Sequence, residues 1–159
     1  MASAQQANEF RKGVIKPTLL KIGLWSPAAE ELLLGTALKE SRLKFRRQIG
    51  GGPARGLFQM EPATHDDIWK NFLKFRAKLA DQVMGLRSSP GADPIQELTD
   101  NDAYAAAMAR VHYLRAPAAL PPAGDVQAMA AYWKKHYNTV FGAGTAKSYV
   151  DAWNEVFGA

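Results

Sequence analysis

"KESRLKFRRQIGGGPARGLFQMEPATHDDIW", residues 39–69, places one glutamate before a glycine-rich turn and one glutamine after it. The same window holds six basic residues and three consecutive glycines. An ordinary helix or surface loop does not need that mixture. Ahead of the window, Ser26-Pro27 is a helix start, because serine caps free amides and proline suits the first helical position. The spacing predicts a helix over 27–41. At about 100° per residue, Glu40 falls on the line of Leu33, flanked by Thr36 and Ala37, whereas Glu31 and Lys39 point elsewhere. A carboxylate on an apolar face is paired, bonded or protonated, and desolvation raises its pKa toward that of a working general acid.

Outward from the window, the rest of the chain reads as helices joined by loops. Phe10, Val14, Ile15, Leu19, Leu20 and Ile22 have helical spacing, with Pro17 expected to break or restart the helix. Residues 1–25 are thus an N-terminal helical segment ahead of a core over 26–159, all in one domain. The triple glycine and Pro53 predict a small irregular hairpin or loop after the Glu40 helix. Thr64, with Asp67 three residues on, is expected to cap a helix continuing to about Met84. Residues 85–94 read as a loop, and Asp100 or Asn101 opens an alanine-rich helix ending before Pro117. Helices over about Val126–Tyr137 and around Tyr149, Val150, Trp153 and Val156 complete a mainly α chain.

Composition narrows the chemistry. With 47% hydrophobic and 22% charged residues, the 159-residue chain can bury a core unaided. The absence of cysteine excludes disulfides, thiolate catalysis and cysteine-ligated metals. His65, His112 and His136 lack metal-ligand spacing and read as structural or surface residues, so neither metal nor cofactor is expected. "MASAQQANEFRKG" lacks the order of a signal peptide, and no apolar run suggests membrane insertion. The net charge of +5 favours an anionic partner such as nucleic acid, anionic lipid or cell-wall polymer.

Glu40-Ser41, then Gly56-Leu57-Phe58-Gln59-Met60 and Pro62-Ala63-Thr64, resemble the lytic transglycosylase and goose-type lysozyme superfamily. "AAMARVHYLRA" and "MAAYWKKHYNTVFGAGTAKSYVDAW" resemble its alanine-rich helix and its A-x-Y-N-x-G segment, so the likeness spans about 26–157. It implies a lysozyme-like fold and cleavage of the β-1,4 bond between N-acetylmuramic acid and N-acetylglucosamine in peptidoglycan. Glu40 would be the catalytic acid. Gln59 would bind the sugar's acetamido group or hydroxyls, Ser41 would bond near the carboxylate or merely cap, and Phe58 and Met60 would line the cleft or pack the core. Gly56 would let backbone approach the glycan.

Tyr132, Tyr137 and Asn138 compete for the Y-N role, because "WKKH" interrupts the motif. Arg42 is a second departure, standing where the family pattern has glycine. Glu61 is the candidate auxiliary carboxylate; Asp66 and Asp67 read as first-turn helix residues. With no obvious second acid, a transglycosylase ending in a 1,6-anhydro product is expected ahead of a hydrolytic muramidase.

The opening segment resembles small proteins of tailed bacteriophages. This implies a tail-associated enzyme with other tail proteins as partners, or one held in the host cytoplasm before release to the periplasm and wall. A virion structural or wall-binding protein of the same fold with little activity is the alternative. A nucleic-acid reading rests on Arg46, Arg47 and Arg55, without a recognition motif.

Overall fold

The computed structural model describes residues 2–138 and 142–158, and it is mainly helical. The first helix, α1 (Ala4–Phe10), starts in a capping box between Ser3 and Gln6. A π turn over Arg11–Ile15 leads directly into α2 (Lys16–Lys21). Pro17 therefore does not break the helix but lies in the first turn where α-helical bonding restarts. A proline lacks an N–H and crowds the carbonyl four residues back, and the wider π turn absorbs both defects. Ala7, Ile15, Leu19 and Ile22 join the same apolar cluster as the rest of the chain, so the N-terminal segment is part of the core.

The centre is α3 (Pro27–Ser41), capped by Ser26 Oγ accepting from the Ala29 amide at 3.0 Å. Leu32, Leu33, Leu34, Ala37 and Leu38 are fully buried, so this helix is apolar nearly all round. It ends where Arg42 and Leu43 turn left-handed, at φ 57° and 55°. Glu30, near its start, is ion-paired to Arg11 and accepts from Trp25 Nε1 at 3.0 Å, which ties the first π turn to α3.

No strand forms among the described residues, so the hairpin alternative is corrected to a loop. Isolated bridges join Arg47 to Arg55 and Arg55 to Met60. Three glycines and no alternating apolar pattern leave little to sustain a ladder. Side chains hold the loop instead. Arg46 grips Asp102 with two bonds, at 2.7 and 3.2 Å, and donates to the Thr99 carbonyl. Gln48 Oε1 accepts from the Ala54 amide at 3.0 Å. Gly56, at φ 79°, lies so close to the Leu98 carbonyl that a Cβ would overlap it. Its missing side chain thus serves an approach to this chain's own backbone.

The next helix, α4 (Pro62–Asn71), begins two residues before Thr64, with Glu61 at its N-cap. The expected long helix to Met84 is three pieces: α4, a 3₁₀ turn (Leu73–Phe75) and α5 (Ala77–Met84). Phe72 and Arg76 leave helical geometry, at φ −134° and −133°. Then come α6 (Pro94–Asp100), which the sequence reading did not assign, and α7 (Asp102–Leu114), capped by Asn101. Helix α8 (Val126–Trp133) continues into a second π turn over Lys134–Asn138, and α9 (Ala146–Phe157) starts in a capping box at Thr145. Helices α7, α8 and α9 pack on α3.

Candidate functional site

A cleft of about 590 Å³ opens at the C-terminal end of α3. The loop after α3, the start of α4, a single residue of α7, the second π turn and residues 142–144 wall it. Glu40, Gln59, Met60, Glu61, Tyr137 and Asn138 all line it. Residues from three separate stretches of chain are thus brought together around Glu40.

Burial pushes the Glu40 carboxyl up from 4.5 to about 7; the Lys39 charge and the bond from Trp133 pull weakly the other way. Trp133 Nε1 donates to Glu40 Oε2 at 3.2 Å. Lys39 also lines the cleft, with its ammonium 5.6 Å from the centre of the Trp133 ring. Lys39 leaves the helix away from the apolar face, but its flexible stem reaches round to the cleft. Glu31 does leave that face, reaching the Gly124 amide at 2.6 Å.

Gln59 sits in the left-handed region at φ 48°. Its amide nitrogen donates to the Gly56 carbonyl at 3.0 Å and the Phe45 carbonyl at 3.4 Å, leaving the amide oxygen to meet a ligand's donor. Tyr137 Oη donates to the Phe58 carbonyl at 2.6 Å, tying the π turn to the GLFQM segment. Burial, then the nearby Glu40 charge, hold that phenol protonated far above the ordinary tyrosine range. Asn138 Oδ1 accepts from Lys134 Nζ, which also donates to the Gly142 carbonyl, so this pair braces the far wall. Residues 139–141 of the Y-N-x-G region lie outside the described residues.

Ser41, Phe58 and Tyr132 are not brought to the cleft. Ser41 is 1% exposed, donates to the Ala37 carbonyl and accepts from the Leu43 amide, which makes it a clamp on the helix end. Phe58 is buried against Phe10, with ring centres 6.1 Å apart. Tyr132 donates to the Ala118 carbonyl and packs on His136. Of the three candidates Tyr132, Tyr137 and Asn138, the last two line the cleft. Glu61 is exposed at the rim, while Asp66 pairs with His65 and Asp67 with Arg115.

His112 is a cleft residue that sequence reasoning missed. Arg115 donates to His112 Nδ1 at 3.2 Å, and a guanidinium can only donate. The ring proton is therefore on Nε2. Burial, then the Arg115 charge, push the imidazole down to about 4, so it is neutral at ordinary pH. No local signal marks it, because neighbours on α7 are structural: Tyr104 Oη meets His65, Trp69 and Arg87, and Tyr113 meets Thr36.

Among the described residues no group of three potential ligands could hold a metal ion, and no helix is long and apolar enough to cross a membrane. Arg46 and Arg55, central to the nucleic-acid reading, are engaged within the fold, by Asp102 and by the Gly52 and Ala54 carbonyls. The chain matches no family model, no curated protein and no solved structure.

Proposed function

We propose that this chain is a peptidoglycan-cleaving enzyme of lysozyme-like fold, working as a lytic transglycosylase with Glu40 as its single acid–base residue. The observation that carries the reading is a desolvated carboxyl group, raised to about 7, lining an open cleft. Such a group holds a proton near neutrality and can release it. Glu40 gives its proton to the glycosidic oxygen as the C1–O bond breaks, the bonding pair leaving with that oxygen. The muramoyl 6-hydroxyl then closes on C1 and returns its proton to Glu40. Gln59 Oε1 and the His112 N–H supply an acceptor and a donor for the sugar's amide and hydroxyl groups. The net charge of +5 suits an anionic wall. In this reading the protein acts at the wall from a phage tail, or after release from the host cytoplasm.

Digestion of purified peptidoglycan with wild type, Glu40→Gln and Glu61→Gln, followed by mass spectrometry, tests it. Anhydro-muropeptides from wild type and Glu61→Gln, with none from Glu40→Gln, are expected. Reducing-end products lost in both variants would make it a two-carboxylate hydrolase. No release by folded wild type would leave a wall-binding or virion structural protein.

A further inference from the structure

We propose that Trp133 is the positioning residue for Glu40: its indole N–H holds Oε2 as the accepting oxygen, so the transferable proton is carried on Oε1. The proposal rests on the glycosidase reading above. An indole nitrogen donates and cannot accept. Trp133 is fully buried, and Glu40 Oε2, at 3.2 Å, is the partner its N–H finds among the described residues. A neutral carboxyl group has one carbonyl and one hydroxyl oxygen. The hydroxyl oxygen is the poorer acceptor, so turning it to the N–H would weaken the one bond of a buried donor. Oε2 is therefore the carbonyl.

The indole is itself fixed. Its ring centre lies 5.8 Å from that of Tyr149, and the Lys39 ammonium stands over it at 5.6 Å. Gly144 closes its edge, where a Cβ would come within 2.6 Å of Cη2. Once the proton has left, the same N–H donates to a carboxylate, which strengthens the bond. Oε2 has the same partner in both protonation states. The carboxyl group does not rotate between giving its proton and taking one back.

The first test is a pH titration by NMR of the Glu40 carboxyl carbon and the tryptophan indole N–H signals. Trp133 is assigned by the signal lost in Trp133→Phe, or by the one that changes in Glu40→Gln if the first variant does not fold. The Trp133 signal is expected to move with the Glu40 midpoint in wild type and to stay flat in Glu40→Gln. On peptidoglycan, Trp133→Phe should lower kcat about tenfold or more with KM little changed. Its alkaline limb should move to higher pH, because a donor that favours the carboxylate is gone. An indole signal indifferent to Glu40 ionisation, or a variant with unchanged kcat and limb, overturns the proposal while leaving an active enzyme intact. A wild type inactive on peptidoglycan removes the reading beneath it, whatever the titration shows.

Discussion

Gly35 and Tyr149 occupy one space: the phenol of α9 lies where a side chain on α3 would be, and its hydroxyl donates to the Leu32 carbonyl at 3.1 Å. A Cβ on residue 35 would overlap the Tyr149 ring and hydroxyl. The contact locks the last helix onto the one that carries Glu40.

Gly35→Ala should therefore destabilise the protein by about 3 kcal/mol, although alanine is the better helix former. Thermal or urea unfolding checks this. Gly35→Ala with Tyr149→Phe, which removes the oxygen nearest the new methyl, should recover part of the loss.

Glu40→Gln should be more stable than wild type at alkaline pH. The folded-state pKa of Glu40 is raised from 4.5 to about 7, so the folded protein binds more protons than the unfolded chain between those values. Stability from this group is full below pH 4.5 and declines as pH rises toward 7. Above that, the variant should gain about 3 kcal/mol over wild type, with the advantage vanishing near pH 4. Unfolding curves at pH 4 and pH 8 measure it; an equal difference at both would show that Glu40 is not desolvated.

Arg42 holds a left-handed conformation at φ 57°, which costs a side-chain-bearing residue roughly 1–2 kcal/mol. Arg42→Gly should raise the melting temperature, and Arg42→Val should lower it.

His112→Phe should raise KM on peptidoglycan several-fold with less effect on kcat, through loss of the Nε2–H donor at the cleft wall. Linkage gives a second readout. His112 is depressed from 6.5 to about 4, so its contribution to stability is full above pH 6.5 and is lost as pH falls toward 4. His112→Phe should flatten that acid limb.

Helix α3 was legible to its ends because its signals are local: Ser26-Pro27 at the start and an apolar run behind. Glu40's inward orientation followed from the same spacing. The α4 start was misplaced because Thr64 resembles a cap, while Pro62 already supplies a first-turn residue. The breaks at Phe72 and Arg76 were hidden because Phe72, Leu73 and Phe75 continue the apolar pattern through them. The pairs that hold the site together were invisible for a different reason. Trp133 meets Glu40 across 93 residues, Tyr137 meets Phe58 across 79, and Arg46 meets Asp102 across 56. Spacing along a chain carries no trace of such pairs.

Glu40 is the penultimate residue of α3 and therefore sits at the negative pole of that helix's macrodipole. A carboxylate is disfavoured there, and a positive charge is welcome. For a reaction that passes through an oxocarbenium-like sugar, the two effects act in sequence. On the proposed reaction, the backbone field would first help keep the acid protonated and then stabilise the positive charge that grows on the ring as the linkage opens, so the placement of one residue near the end of one helix would serve both the proton donor and the cation it creates.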